Sequence, residues 1–88
     1  MRAEQILPDH VDQTEIDGVI VRKGTVGAFL RNAKAWTAPH TPEPQRREAE
    51  RDIVEAVPAL RALGLFDAMM LRDDRLRQLV ADASPDGA

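Results

Sequence analysis

The 88-residue sequence contains no cysteine, and its only serine is Ser84, near the C-terminus. Without cysteine the chain has no disulfide, no thiolate nucleophile and no cysteine zinc site. A serine triad is excluded because Ser84 lies in residues 84–88, which we expect to form a disordered tail. A carboxylate pair remains possible, but Glu48, Asp52 and Glu55 fall on the predicted solvent side of a helix, where carboxylates pair with arginines. We therefore predict no catalytic residue and expect the protein not to be an enzyme.

Nitrogen ligands for metals are also scarce, since the only histidines are His10 and His40, in different segments. The stretch Asp9-His10-Val11-Asp12 carries three side chains able to bind a cation, but a stable site also needs ligands from elsewhere in the chain. We therefore predict neither a metal site nor a cofactor-binding site.

Long apolar runs are missing as well. The longest is Ala68–Leu71, followed by three-residue runs such as Val19–Val21, whereas a membrane-spanning helix needs about 20 consecutive apolar residues. Near its N-terminus the sequence carries the acidic residues Glu4, Asp9 and Asp12, where a signal peptide has a basic flank and an apolar stretch. We therefore expect a cytoplasmic protein that does not span a membrane.

The apolar residues that are present, 43% of the chain, are typical of one small globular domain. Residues 1–13 show no clear periodicity and contain Pro8, so we expect a loose N-terminal arm there. The domain itself is predicted over residues 14–83, between this arm and the tail.

A β-hairpin is predicted from Thr14 to Val21, where two short β-favouring runs flank Asp17-Gly18. Both central residues of a type I′ turn need a positive φ, which aspartate tolerates and glycine adopts freely. The alternative is an isolated turn, because a lone hairpin is marginal unless another element packs on it.

A first helix is predicted after Gly24, with Thr25 as its N-terminal cap and its end before Pro39. Its apolar residues recur at intervals of three and four and therefore share one face: Val26, Phe29, Leu30, Ala33 and Trp36. We expect this face to pack against the core.

A second helix is predicted to open near Thr41 or Pro42 and to end at Gly64, in the left-handed cap position. Its apolar face carries Ala49, Ile53, Ala56, Val57, Leu60 and Leu63. Three oppositely charged pairs on its solvent side are four residues apart: Glu43 with Arg47, Arg46 with Glu50, and Arg51 with Glu55. Pro58 predicts either a kink or a restart, since it lacks a backbone N–H.

A short third helix is predicted near the C-terminus, capped by Asp73 or Asp74, and Asp67 is a candidate cap for an earlier turn. The residues of this third helix that are predicted to face inward are Leu76, Leu79 and Val80. The predicted fold is α+β and mostly α-helical, with a short N-terminal β-hairpin followed by about three helices, the second kinked at Pro58. We expect six side chains to be buried: Phe29, Leu30, Ile53, Val57, Leu60 and Phe66.

Charge is distributed unevenly around the net value of -3, because residues 22–36 hold four bases and no acid. These bases are Arg22, Lys23, Arg31 and Lys34. Clustered cations beside an aromatic residue such as Trp36 are found in nucleic-acid-binding surfaces. The acidic net charge and the place of Trp36 on the core face favour instead an acidic protein surface, either this chain's own or a partner's.

The densest apolar stretch places Leu65, Phe66, Met69, Met70 and Leu71 within seven positions, more than one face of a short element can bury. Core packing is the simpler interpretation, but methionine adapts to irregular surfaces, so Met69 and Met70 are candidates for a partner contact. An exposed surplus predicts a weak homodimer through residues 65–80, with Met70 near the two-fold axis.

Two motifs lie within about residues 14 to 70. One runs from Asp17-Gly18 through Gly24-Thr25-Val26 to Asn32, and the other runs from Val57-Pro58 to Gly64-Leu65-Phe66. In content and order they resemble a family of small uncharacterised bacterial proteins, a domain of unknown function. The resemblance implies no activity, cofactor or catalytic residue.

No pattern in the sequence identifies a reaction or a ligand. We expect a non-enzymatic bacterial protein-interaction module, a small regulator or inhibitor whose protein partner is unknown. The alternative is a nucleic-acid-associated protein that uses the basic segment 22–36. The candidate interaction residues are Arg22, Lys23, Arg31, Lys34, Met69 and Met70.

Overall fold

The structure, a computed structural model, describes residues 13–83. Two strands come first, β1 at Gln13–Ile16 and β2 at Val19–Arg22. Four helices follow within the described residues: α1 at Thr25–Thr37, α2 at Glu43–Leu63, α3 at Leu65–Ala68 and α4 at Asp74–Asp82. The fold is α+β and mostly helical, as predicted, and α3 is a short helix beyond the three expected.

The first strand starts at Gln13, one residue before the predicted start of the domain. The rest of the predicted arm, including Asp9-His10-Val11-Asp12, and the predicted tail at 84–88 lie outside the described residues. Within 13–83, none of the helices has both the length and the apolar character needed to cross a membrane.

The hairpin forms as predicted, with β1 and β2 antiparallel and Ile16 opposite Val19. Asp17 and Gly18 connect the strands with φ values of 50° and 81°. These positive angles are those that a type I′ turn requires. The hairpin is not isolated, because β2 packs against α2 and Val21 is buried.

The predicted cap of α1 is wrong. Gly24 precedes the helix in the left-handed conformation (φ 84°), and no side chain caps the helix N-terminus. Thr25 is the first residue of α1, and its hydroxyl donates to the carbonyl of Arg22 at 2.7 Å. This hydrogen bond ties the first turn of α1 to the end of β2. The helix ends at Thr37, before Pro39 as expected.

The core is formed where α1 and α2 pack together, with α4 and the apolar residues around α3 closing it. Four of the six predicted core residues are fully buried, namely Phe29, Ile53, Val57 and Leu60. Phe66 is half-buried, and its ring meets that of Phe29 edge-on at 6.3 Å between centroids.

The prediction that Leu30 is buried is wrong, since Leu30 is 60% exposed. The buried residues of α1 are Phe29, Ala33 and Trp36. An α-helix turns by about 100° per residue, so Leu30 points well away from the direction of Phe29. The buried face of α1 is therefore narrower than the face that its apolar residues predict.

Helix α2 runs without interruption through Pro58, so the alternative of a restart at this residue is wrong. The helix begins at Glu43, just after the predicted opening, and Pro44 lies in its first turn, where the missing N–H has no helical partner to lose. Gly64 ends it in the left-handed conformation (φ 86°), donating to the carbonyls of Arg61 and Leu60. The C-terminal cap is thus the predicted one.

Helix α4 has a side-chain cap, because the Asp73 carboxylate accepts a hydrogen bond from the N–H of Leu76 at 2.8 Å. Of the two predicted alternatives, Asp73 is therefore the cap and Asp74 is the first helical residue. The suggestion that Asp67 caps an earlier turn is wrong, since Asp67 lies inside α3 and Gly64 precedes that helix.

Substituting Asp73 tests this cap. Asp73→Ala is expected to lower the free energy of unfolding by about 0.5–2 kcal/mol, because the Leu76 N–H loses its acceptor. Asp73→Asn keeps an acceptor oxygen and should have a smaller effect. Urea denaturation followed by circular dichroism measures both, and a loss for Asp73→Asn as large as for Asp73→Ala would contradict the assignment.

Candidate interaction surfaces

The four bases of the segment 22–36 are all exposed and lie on different elements. Arg31 and Lys34 lie three residues apart on the outward face of α1. Arg22 is the last residue of β2, and Lys23 follows it in the turn before α1. The structure thus separates a pair on the helix from a pair at the hairpin.

Arg22 lines a groove of about 450 Å³ between β2, α1 and α2. Ile20 lies beside it on β2, and Asp52 and Glu55 line the groove from α2. These two carboxylates oppose the positive charge of Arg22 and repel a phosphate. The groove at the hairpin is therefore not a uniformly basic site.

On α1, Arg31 and Lys34 accompany the exposed Leu30. Gly27 is on the same side, one turn earlier, and a Cβ atom there would meet nothing within 4 Å. We term Gly27, Leu30, Arg31 and Lys34 the basic face of α1. It combines an exposed apolar side chain with two cations and a position without a side chain.

Trp36 is not free to stack on a base, because it is only 8% exposed. Its Nε1 donates to a carboxylate oxygen of Glu50 at 3.1 Å. The guanidinium carbons of Arg46 and Arg75 each lie 5.5 Å from the ring centroid. Trp36 therefore links α1, α2 and α4 through one polar contact and two cation–π contacts.

The charged pairs predicted along α2 are only partly present. The Arg47 and Glu43 side chains pair at 3.4 Å, as expected. Arg46 and Glu50, predicted to pair with each other, both contact Trp36 instead. In the described part of the chain no hydrogen bond or ion pair joins Arg51 to Glu55. The sequence spacing gave no sign of the Trp36 contacts, because Trp36 lies on another helix.

A second groove, of about 570 Å³, lies between the end of α2, α3, α4 and the connection between the last two. Its apolar lining includes Phe66, Met69, Met70, Leu71 and Val80, and we term it the methionine groove. Met69 and Met70 are 65% and 82% exposed, whereas Phe66 and Leu71 pack against the core. The apolar stretch is therefore only partly buried.

Two arginines border the methionine groove, Arg61 from α2 and Arg77 from α4. The Arg61 guanidinium lies 5.6 Å from the centroid of the Phe66 ring. Arg77 donates to the Leu71 carbonyl at 2.7 Å and pairs with Asp74. Arg77 thus links the segment that connects α3 and α4 to the first turn of α4.

Neither the grooves nor the helix faces offer a metal site, since within residues 13–83 no group of three or more His, Asp or Glu side chains is placed to hold a cation. No family model, curated protein or solved structure matches the chain. The resemblance to a family of small bacterial proteins stays a prediction. Function is therefore inferred from the exposed surfaces themselves.

Proposed function

We propose that this protein is a non-enzymatic protein-interaction module, a small regulator or inhibitor that binds an acidic protein surface through the basic face of α1. The observation that supports this is the 60% exposure of Leu30 beside the exposed cations of Arg31 and Lys34. An apolar side chain among cations suits a partner that offers an apolar contact ringed by carboxylates.

The proposed partner element is an amphipathic helix with acidic residues around an apolar centre. Gly27 has no side chain, so a partner can approach the backbone of α1 closely at this point. Full burial of a leucine side chain such as Leu30 contributes about 1.5–3 kcal/mol. Arg31 and Lys34 would accelerate the encounter with an acidic partner, and salt would weaken this effect.

Nucleic-acid binding is the second candidate function, favoured by the exposure of Arg22, Lys23, Arg31 and Lys34. Two observations favour the protein partner instead. Trp36 is buried and donates a hydrogen bond to Glu50, and Asp52 and Glu55 line the same groove as Arg22. A phosphate backbone would also gain nothing from the exposed Leu30.

The test compares three variants with the wild type. Leu30→Asp removes the apolar contact, Arg31→Glu combined with Lys34→Glu reverses the charge, and Arg47→Glu is the control. Arg47 is a suitable control because its side chain is 75% exposed on another helix. Each variant is immobilised, captured proteins from a bacterial lysate are quantified by mass spectrometry, and hits are remeasured by calorimetry with purified partner.

We expect a partner that wild type and Arg47→Glu bind equally and that both basic-face variants bind at least tenfold more weakly. Fluorescence anisotropy with single-stranded and duplex DNA and RNA, at about 50 and 200 mM salt, measures the second candidate. Nucleic-acid binding that falls steeply with salt and with Arg31→Glu/Lys34→Glu, but not with Leu30→Asp, would overturn the protein-partner proposal. So would the absence of any protein with the expected pattern.

A further inference from the structure

We propose that the methionine groove is the interface of a homodimer, in which each copy inserts its Met70 side chain into the groove of the other. This surface is separate from the basic face of α1, so the inference goes beyond the proposed function. The occupant of the groove is a second copy of this chain, related by a two-fold axis close to Met70.

The first support is that a protruding side chain and a cavity lie side by side. Met70 is 82% exposed, the largest exposure among the large apolar side chains of the described residues. It borders the groove of about 570 Å³, which Leu71 and Val80 line with apolar surface. When a two-fold axis passes between a projecting side chain and a neighbouring cavity, the side chain of each copy can fill the cavity of the other.

The second support is the charge around the groove. Three positive charges lie in or beside the groove, those of Arg61, Arg72 and Arg77. Three negative ones accompany them, those of Asp74 in the lining, Asp67 on α3 and the α4 cap Asp73. A two-fold interface places a surface against itself, so a surface with one sign of charge repels its copy. The balanced charges here permit self-association, unlike the basic face of α1.

The third support is that Met70 projects from a fixed backbone. The N–H of Met69 donates to the carbonyl of Leu65 at 2.9 Å. On the other side of Met70, the Leu71 carbonyl accepts from Arg77 at 2.7 Å. Little backbone order has to be gained on association, which favours binding, and the flexible methionine side chain adapts to the cavity it enters.

The test uses the absence of cysteine, because single-cysteine variants then have one thiol each. A disulfide forms only between Cα atoms about 4.4–6.8 Å apart, so a symmetric crosslink reports a position near the axis. Met70→Cys is compared with Leu30→Cys and Ile20→Cys, whose parent side chains are 60% and 59% exposed away from the groove. Under mild oxidation we expect Met70→Cys to form covalent dimers at least tenfold faster than either control.

Sedimentation equilibrium provides the second measurement, with folding checked by circular dichroism. The wild type should show a concentration-dependent mass between 9.8 kDa and twice that value, and Met70→Glu should remain a monomer. A monomeric wild type at high micromolar concentration overturns the proposal, as does association that survives Met70→Glu or equal crosslinking of the three cysteine variants. Since Met70→Glu leaves Leu30, Arg31 and Lys34 unchanged, partner capture by this variant separates a failure here from a failure of the proposed function.

Discussion

Replacing Leu60 with alanine is expected to lower the free energy of unfolding by about 2–5 kcal/mol. Leu60 is 0% exposed and lies on the same face of α2 as the equally buried Ile53 and Val57. Removing its branched end deletes apolar contacts and leaves a cavity that the packed surroundings fill only in part. In a domain of this size the melting temperature should fall by on the order of 10 °C or more.

The matched control is the same substitution at an exposed position. Leu30→Ala, in α1, should change the free energy of unfolding by no more than about 0.5 kcal/mol, as is usual for surface substitutions. Leu30 is 60% exposed and Leu60 is 0% exposed, so burial is the main difference between the two sites. Equal losses in thermal and urea denaturation would contradict the orientation of α1.

The difference between these two leucines also shows where sequence periodicity is sufficient. Along the 21 residues of α2, the apolar positions repeat often enough to define one direction. Four of the six residues on the predicted apolar face are buried, namely Ala49, Ile53, Val57 and Leu60, and the other two are half-buried. In α1, 13 residues long, the apolar pattern admits both Phe29 and Leu30. Which of two adjacent apolar residues on a helix is buried depends on where the neighbouring element packs. Sequence periodicity does not reveal that position.

Turns and caps were predictable where a single residue determines the local geometry. Gly18 and Gly64 adopt positive φ angles because glycine permits them, and Asp17 does so because aspartate tolerates them. The turn between the strands and the end of α2 need these angles. The role of Thr25 was not predictable in the same way. Its hydroxyl donates to the carbonyl of Arg22 and does not cap the N-terminus of α1. Which of these two local hydrogen bonds forms depends on how β2 is connected to α1.

The sequence singled out six candidate interaction residues, but it favoured core packing for Met69 and Met70 and did not reveal how the six are grouped. All four bases and both methionines are exposed. Yet Arg22 lies beside the acidic wall of the hairpin groove, and Leu30, expected in the core, joins Arg31 and Lys34 instead. Such groupings join residues from different elements, or depend on how far a helix is rotated. Both are set by tertiary packing.

Trp36 gives the second large effect, and Trp36→Ala is expected to lower the free energy of unfolding by about 3–5 kcal/mol. The substitution removes a large buried ring and leaves Glu50 without its hydrogen-bond donor. It also removes the surface on which the guanidinium groups of Arg46 and Arg75 lie. Because these partners come from α2 and α4, the loss should appear as one cooperative shift of the whole unfolding transition.

Trp36→Phe is the matched variant, since it retains an aromatic ring but has no N–H for Glu50, and it should lose clearly less stability than Trp36→Ala. Urea denaturation followed by circular dichroism measures both variants, because the chain has no other tryptophan to report by fluorescence. A loss below about 1 kcal/mol for Trp36→Ala would contradict the buried role, since large buried side chains account for the larger effects. The Trp36 ring would then be available to stack on a base, and this would favour the nucleic-acid-binding function.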